Sequence, residues 1–171
     1  MPVELEQAIK ERRTHKVFGH EPVDRDLLTE LLELARWAPN HHLTNPWRFR
    51  VLGPEALARL KEAAGEEAAA KLDRAPTLVA ASVIQNGDPV QDEEDVCATA
   101  AAVYIVLLAA HARGLVGYWR TPAVLRDPDG RAALGIPDEE RVLGLIHLGP
   151  QRQEQSPPDR LPPGDYVTFL E

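Results

Sequence analysis

The feature that most constrains the fold is an apolar run at residues 96–110, broken only by Thr99 and by the hydroxyl group of Tyr104. Four acidic residues at 92–95 precede the run, where negative charge complements the N-terminal end of a helix dipole. The run has 15 residues, fewer than the roughly 18 that a membrane-spanning helix needs. We therefore predict a buried central helix and no membrane partner. A helix that is apolar on every side needs cover on every side, which favours pairing of two copies of the chain.

The length and charge of the chain exclude several classes of protein. Its 171 residues fit one domain spanning 1–171, in which a Pro-rich stretch begins an extended C-terminal arm at 151–171. A formal charge of −8 argues against a nucleic-acid partner, whose phosphates would be repelled. Cys97 is the only cysteine and no apolar leader opens the chain, so we expect a cytoplasmic protein without an internal disulfide. Because Cys97 lies in the apolar helix, we expect it to be a small buried residue of low reactivity.

Hydrophobic periodicity and turn signals predict an α+β protein with helices packed on a sheet. The predicted helices are residues 2–13, a second helix capped by Asp24 and ended by Pro39, residues 54–74 with a break at Gly65, the central helix, and a helical piece at 122–134. The predicted strands are residues 47–52, 77–84, 115–120, 142–148 and 166–170. The second of these is almost continuously apolar, which is typical of a strand covered on both faces.

Arg12, Arg13 and Thr14 form a candidate phosphate-binding group at the end of the first predicted helix. Each arginine offers a planar fork of hydrogen-bond donors, and the threonine hydroxyl adds one more. A helix C-terminus presents carbonyl groups, so a phosphate here would be held by side chains rather than by backbone amides. The alternative interpretation is a solvated pair of charges that complements the helix dipole.

A polar loop bounded by prolines follows the second predicted helix and is a candidate site for a flat ring. Its sequence, APNHHLTNPW, occupies residues 38–47 and ends in an aromatic strand. Loops held between rigid elements commonly carry binding residues. Together with the phosphate-binding group, this loop predicts a bound nucleotide-like cofactor.

Three motifs in this order resemble the FMN-dependent nitroreductases, in particular their compact bacterial branch. They are Arg12-Arg13-Thr14, the proline-bounded loop, and Gly117-Tyr118-Trp119-Arg120-Thr121. The likeness runs over the whole chain. It implies an α+β fold with a mixed or antiparallel sheet flanked by helices, and a homodimer with FMN at the subunit interface. It also implies that the C-terminal arm embraces the partner subunit.

The resemblance implies three groups of FMN-contacting residues. These are Arg12, Arg13 and Thr14 at the phosphate and the polar edge of the ring, Trp119, Arg120 and Thr121 in a second run, and Trp37 and His41 from the other subunit. For Trp37 the alternative is a core residue that covers the second helix, and for His41 it is a loop side chain in solvent. No catalytic side chain is expected, because the flavin carries out the redox step. No metal site is expected either, because the histidines lack ligand spacing.

Several positions depart from the family pattern, and one phosphate-binding position stays unassigned. Three loop positions, where many family members carry Ser, Asn and Gln, are here Asn40, Leu43 and Asn45. These departures affect the expected substrate range more than flavin binding. Lys16 stands where a second arginine is frequent, so the charge is kept without the bidentate geometry. The basic residue that would reach the phosphate from the C-terminal side is Arg152, Arg160 or neither.

The resemblance implies an FMN-dependent NAD(P)H oxidoreductase that passes hydride by a ping-pong mechanism to a nitroaromatic, quinone or similar acceptor. The chain has no Gly-x-Gly-x-x-Gly motif, and none is needed where the nicotinamide stacks transiently on a flavin, so NADH and NADPH both stay open. One alternative is a protein that stores or senses FMN without efficient turnover, favoured if Trp37, Leu43 or Trp119 blocks the ring. The other is a noncatalytic helical interaction domain that binds no flavin.

Overall fold

The structure, a computed structural model, describes residues 4–170, which form one four-stranded sheet and the helices around it. The strands are β1 (Trp47–Val51), β2 (Thr77–Ile84), β3 (Leu115–Arg120) and β4 (Glu140–Pro150). The α-helices are α1 (Leu5–Glu11), α2 (Arg25–Ala35), α3 (Pro54–Ala64), α4 (Glu66–Leu72), α5 (Pro89–Ala112) and α6 (Pro128–Ala133). Short 3-10 helices lie at His41–Leu43, Ala123–Arg126 and Pro163–Asp165.

Strand pairing makes the sheet antiparallel throughout, in the order β1-β2-β4-β3. β2 and β4 take the central positions, and seven of the eight β2 side chains are buried, as the continuous apolar sequence predicted. The predicted α+β class is confirmed. The resemblance implied a mixed or an antiparallel sheet, and the sheet formed by the described residues is antiparallel.

A separate apolar cluster covers each face of the sheet. On one face α2 and α5 pack against Val79 and Ile146. Leu78 and Leu145 precede these residues along the strands and enter the second cluster, which includes side chains of α3 and α4. This alternation is the period of two expected for a strand. The two clusters fix α5 and β3, which carry the candidate site.

The central helix α5 begins earlier than predicted. Asp88 caps it by accepting hydrogen bonds from the backbone N–H groups of Val90 and Gln91, at 2.9 and 3.3 Å. Of the predicted acidic turn, Asp92 alone lies in the first turn of the helix. At 24 residues α5 is long and apolar enough to cross a membrane, so the predicted length of 15 apolar residues was too short. Half of its most apolar window is nevertheless buried inside the fold, as is usual for a core helix.

One side of α5 is exposed in the single chain. Val90 is 67% exposed, Tyr104 is 38% exposed, and Cys97 is exposed as well. The prediction that Cys97 is a buried core residue is therefore wrong. A uniformly apolar sequence does not reveal which side of a helix its own domain covers, and here the sheet and α2 cover only part of it.

Local sequence signals predicted most of the other helix boundaries. Asp24 caps α2 by accepting a hydrogen bond from the backbone N–H of Asp26 at 2.9 Å, as predicted. The helix ends at Ala35, four residues before Pro39, so its predicted end was too late. Gly65, with a φ of 74°, separates α3 from α4 and confirms the predicted break.

Both ends of the described chain differ from prediction. α1 ends at Glu11, so the arginine pair lies just beyond the helix, and the predicted start at residues 2–3 lies outside the described residues. The predicted strand at 166–170 is wrong for the single chain. Phe169 and Leu170 are each 91% exposed there, because no strand edge of the described chain pairs with this segment. Its placement on a partner subunit stays a prediction.

Candidate functional site

Arg12 ends α1 with a non-helical backbone (φ −55°, ψ 128°), and Arg12 and Arg13 are both half-buried. Arg13 is held locally, because its Nη1 donates to the carbonyl oxygen of Arg12 at 2.9 Å and also to that of Lys10. The Arg12 guanidinium instead lies over the ring of Tyr104 on α5. The Nε atom of each arginine is buried and has no hydrogen-bond partner among residues 4–170.

The segment after the arginines runs beside β3. Thr14 forms a parallel bridge with Gly117, and the backbone N–H of His15 donates to the carbonyl oxygen of Gly117 at 3.2 Å. A Cβ atom at Gly117 would lie 2.6 Å from the end of the Leu107 side chain, so a larger residue here would require Leu107 of α5 to move. The bridge brings the predicted phosphate-binding group alongside the strand that ends in the second predicted run.

The second run, residues 119–121, is held by β4. The indole Nε1 of Trp119 donates to the carbonyl oxygen of Leu143 at 3.1 Å, and its ring packs against the first apolar cluster. The Nη1 atom of Arg120 is buried, and no described residue accepts a hydrogen bond from it. Thr121 is exposed. The run therefore presents the fixed aromatic ring of Trp119, the unpaired cationic donor of Arg120 and the exposed hydroxyl group of Thr121.

Three buried guanidinium nitrogens, from Arg12, Arg13 and Arg120, thus have no acceptor within the described chain. A buried donor on a charged group is costly to leave unpaired, and such groups in folded proteins nearly always have partners. Anionic or carbonyl oxygens would satisfy them. These donors fit FMN, which carries a phosphate monoester and a ring edge rich in acceptors.

A basic cleft of about 490 Å³ opens beside the arginine pair. It is lined by Ile9, Lys10, Arg12, Arg13, Tyr104, Pro157, Pro158 and Arg160. Of the two C-terminal arginines that the sequence left open, Arg160 lies in this cleft, whereas Arg152 lines a different pocket. Sequence reasoning also missed Lys10 and Tyr104. The Tyr104 hydroxyl, isolated in an apolar run, was the one available signal for the second of these.

Two histidines adjoin the same cations. Burial lowers the pKa of His15, and the charges of His111 and Arg12 lower it further. Burial also lowers the pKa of His111, with Glu11 opposing and Arg12 and Arg13 adding to the effect. Both shifts favour the neutral imidazole, so the positive charge of the site comes from its arginines and from Lys10.

The proline-bounded loop is attached to the other end of α5. His41 Nδ1 lies 2.7 Å from Glu94 Oε2, and the hydroxyl of Thr44 donates to Asp95 Oδ1 at 2.6 Å. Trp37, which precedes the loop, is 76% exposed. The alternative of a core tryptophan is therefore wrong.

Left-handed backbone gives the loop its shape. His42, Leu43 and Asn45 have φ values of 55°, 51° and 48°, which are uncommon for residues other than glycine. The side chain of Asn40 stabilises the turn by accepting a hydrogen bond from the backbone N–H of Asn45 at 3.0 Å. Strained loops of this kind cluster at binding sites, where the surrounding structure holds them.

The structure does not bring the loop and the arginine pair together within one chain. His41 is anchored at Glu94 and Arg12 at Tyr104, ten residues further along α5. At 1.5 Å per residue this separation is about 15 Å along the helix axis. That Trp37 and His41 contact the flavin of the other subunit stays a prediction, and it is compatible with this distance.

Comparisons with known proteins agree on one family. Residues 9–150 match the Nitroreductase family. YfhC of Bacillus subtilis (strain 168), provisionally named an NAD(P)H nitroreductase, is 26% identical over 97% of this chain and 94% of its own length. YdjA of Escherichia coli (strain K12), named in the same way, is 28% identical over 97% and 98%. The crystal structure of a nitroreductase-like family protein from Bacillus cereus superposes with a TM-score of 0.90 at 26% identity, covering 100% of this chain and 98% of that one.

These matches confirm the resemblance seen in the sequence motifs. They cover nearly the whole chain and nearly the whole of each relative. Both arginine runs lie inside the matched residues 9–150. The chain belongs to the nitroreductase family.

Proposed function

We propose that the protein is an FMN-dependent NAD(P)H oxidoreductase that reduces nitroaromatics, quinones or similar acceptors. Family membership supports NAD(P)H-dependent oxidoreductase activity. The observation that carries the FMN assignment is the set of unpaired buried donors on Arg12, Arg13 and Arg120, in two runs joined by the Thr14–Gly117 bridge. A helical interaction domain without a ligand has no use for such donors.

Different residues contact different parts of the cofactor. Arg12, Arg13 and the Thr14 hydroxyl bind the phosphate, and Arg160 lines the same basic cleft as the two arginines. Arg120 donates to the polar edge of the ring, where a fixed positive charge stabilises the reduced form. Trp119, anchored on Leu143, limits how far the ring can move. When bound, FMN accepts hydride from the nicotinamide and passes reducing equivalents to the acceptor.

A ping-pong mechanism needs one ring face that is open to nicotinamide and acceptor in turn. Thr14 and Thr121 are both exposed, which supports an open slot beside β3. Three side chains would favour storage or sensing of FMN if they blocked the ring: in the single chain Leu43 and Trp37 are 75% and 76% exposed, and Trp119 packs against the first apolar cluster. Neither Leu43 nor Trp37 covers the arginine runs of its own chain, since the loop lies at the other end of α5.

The same proposal includes a homodimer with FMN at the interface, in the cytoplasm. Family members are typically dimeric. In the single chain, the exposed side of α5 and the apolar end of the C-terminal arm leave large side chains uncovered, among them Tyr104, Phe169 and Leu170. We expect light scattering to give about twice the chain mass of 18.9 kDa, and replacing Phe169 and Leu170 by Asp to shift the protein towards monomer. A wild-type monomer with bound flavin would contradict this part.

The deciding experiment is the visible spectrum of the purified protein after addition of FMN and desalting, followed by anaerobic NADH and then NADPH. We expect flavin bands that bleach with a reduced nicotinamide and return with a nitroaromatic or quinone. Bands that persist without bleaching would favour storage or sensing of FMN. No retained flavin would overturn the proposal.

A further inference from the structure

A pocket of about 710 Å³ opens between the N-terminal half of α5 and the proline-bounded loop. Asn40 and His41 line it from the loop. Val90, Cys97 and Ala101 line it from the helix, where intervals of seven and four residues place them on one face. Its volume is within the range of small-molecule sites. The described residues thus form a possible ligand site that is separate from the basic cleft.

The helical wall of this pocket is largely apolar and consists mostly of small side chains. Cys97, Ala98 and Ala101 leave room beside the helix, and Val90 lies at the end nearest the helix N-terminus. Val90 is 67% exposed and Cys97 is exposed as well, so this wall is open in the single chain. Among residues 4–170, no group of three or more His, Cys, Asp or Glu side chains could hold a metal ion. The pocket is therefore suited to an organic molecule with an apolar body.

The charged side chains of the pocket are acidic. Glu93 and Glu94 line it, and its lining includes no lysine or arginine among the described residues. Glu93 is exposed and forms no ion pair with another residue of 4–170. The Oε2 atom of Glu94 lies 2.7 Å from Nδ1 of His41, and protonation of this imidazole would offset one carboxylate at most. The pocket therefore keeps a negative charge, which attracts cations and repels anions.

Charge of the opposite sign lies further along the same face of α5. Tyr104, seven residues after Cys97, marks the basic cleft, which is lined by four lysine and arginine side chains and by no described carboxylate. An anion that approaches this face is therefore drawn to the cleft and repelled from the pocket, and a cation experiences the reverse. The cleft thus suits a phosphate group, whereas the pocket suits a positively charged molecule.

We propose that this pocket binds the electron acceptor and selects aromatic acceptors that carry a positive charge over neutral and anionic ones. The inference rests on the proposed function, because the predicted contact of His41 with the flavin of the other subunit makes the pocket of one chain border that flavin. The apolar helical wall takes the aromatic ring, and Glu93 and Glu94 attract the charged substituent. An acceptor that carries a carboxylate meets like charge and binds least tightly.

The test is an NMR titration of the FMN-loaded, isotope-labelled protein with three redox-inert ligands. Benzyltrimethylammonium, benzyl alcohol and phenylacetate share a benzyl group and carry a positive charge, no charge and a negative charge. We expect binding to weaken about two- to fivefold at each step in this order, the range of partly exposed charge pairs. The largest shifts should be those of the backbone amides of Val90 and Cys97. High salt should reduce the differences, because exposed charges are screened.

Substitutions in the pocket locate the effect. Glu93→Gln removes the unpaired carboxylate and should lower the ratio of benzyltrimethylammonium affinity to phenylacetate affinity about two- to fivefold. Glu139→Gln makes the same change at an exposed glutamate outside the pocket lining, so this matched control should leave the ratio unchanged. Cys97→Phe fills the pocket from an exposed position and should weaken the binding of all three ligands.

Kinetics with reducible members of the same series give the second readout. The kcat/KM value should fall from para-nitrobenzyltrimethylammonium through para-nitrobenzyl alcohol to para-nitrophenylacetate, in which a methylene group separates the substituent from the ring. Equal affinities for the three inert ligands, or a charge preference that Glu93→Gln does not change, would overturn the inference even where NAD(P)H still bleaches the flavin. Binding that Cys97→Phe does not weaken would also overturn it, by assigning the ligands to another site. If the protein retains no flavin but still ranks the inert ligands through Glu93, the proposed function fails and the charge-selective pocket stands.

Discussion

The guanidinium carbon of Arg12 lies 5.7 Å from the centroid of the Tyr104 ring, so the residue that leaves α1 rests against the middle of α5. A cation over an aromatic face is attracted by the ring quadrupole. The contact orients a guanidinium whose Nε is buried without an acceptor among the described residues. Arg12 is thereby held ready for an anion before any anion is bound.

Arg12→Ala should weaken FMN binding by about ten- to a hundred-fold, because a hydrogen bond to a charged group is worth about 1.5–3 kcal/mol. Tyr104→Leu should weaken it by a smaller factor of about two to five, the contribution of a partly exposed cation–π contact. Tyr104→Phe keeps the ring and should bind as the wild type does. Flavin-fluorescence titration measures all three. Arg36→Ala, which alters a solvent-exposed arginine in an ion pair with Glu33, is the control. An Arg12→Ala protein with wild-type affinity would remove Arg12 from the site.

Gly144→Ala should disturb the second flavin run from the neighbouring strand. Gly144 has a φ of 147°, and an added Cβ would lie 2.6 Å from Trp119 Nε1 and 2.5 Å from the carbonyl oxygen of Arg120. We expect a loss of stability of about 1–3 kcal/mol from strain, together with weaker FMN retention as Trp119 shifts. Gly53→Ala meets no atom within 4 Å and should change neither urea denaturation nor flavin titration. Equal behaviour of the two variants would mean that the clash is relieved without moving the run.

The elements that could be predicted from the sequence are those defined by local signals. The cap at Asp24, the break at Gly65 and the continuous apolar strand β2 each depend on a few neighbouring residues. The start of α5 differs from the prediction although its signals are local too, because the acidic run has the composition of a first turn while Asp88 and Pro89 form the actual start. Local chemistry thus determined most helix and strand positions.

Features set by long-range packing could not be predicted in the same way. The exposure of Cys97 depends on which side of α5 the sheet and α2 cover, and a uniformly apolar helix carries no such information. Arg160 joins Arg12 and Arg13 in one cleft across nearly the whole chain, so no spacing rule could select it over Arg152. The segment at 166–170 has strand residues but no edge to pair with in its own chain. Motif resemblance indicated the arginine runs, and only the fold shows the backbone bridge between Thr14 and Gly117 that joins their segments.

Glu140→Gln should destabilise the fold through the polar network at the start of β4. The buried Glu140 accepts from Arg50 Nη1 and Nη2 at 2.7 and 2.9 Å, and from the hydroxyl of Ser82. Removing one partner of a buried ion pair costs about 3–5 kcal/mol. Because the Arg50 side chain is 26% exposed, we expect a smaller loss, of about 2 kcal/mol. Urea denaturation at pH 7 measures it, and Glu67→Gln, in an exposed pair with Lys71, should leave the midpoint unchanged.

The effect of Glu140→Gln should also depend on pH. Burial raises the pKa of Glu140, but the hydrogen bonds from Arg50 and Ser82 outweigh it, so that the pKa in the folded protein lies below the ordinary value of 4.5. The stabilisation is therefore complete above pH 4.5 and is lost as the pH falls through the lower folded value. The difference between wild type and variant should shrink at pH 3. A difference that stays constant would mean that the carboxylate charge is not the source of the effect.

His147→Leu should stabilise the protein, most of all in mild acid. The side chain is fully buried, and neither ring nitrogen has a hydrogen-bond partner in the described chain, which costs about 1–3 kcal/mol for an unsatisfied group. Its pKa falls from 6.5 to about 4, with burial as the main cause and Arg120 and Arg74 adding to it. Between these values the unfolded chain binds a proton that the folded chain does not, so the free energy of unfolding decreases as the pH falls.

At about 1.4 kcal/mol per pKa unit, this proton costs the wild type on the order of 3 kcal/mol by pH 4. His15 and His111 act in the same direction, since their pKa values are lowered too, so the variant should reduce the acid loss without abolishing it. Urea denaturation of both proteins at pH 7, 6, 5 and 4 provides the test. The curve of the variant should lie above that of the wild type and separate from it further at each step. If His147→Leu is instead less stable at every pH, the imidazole makes a stabilising hydrogen bond and is not an unsatisfied buried group.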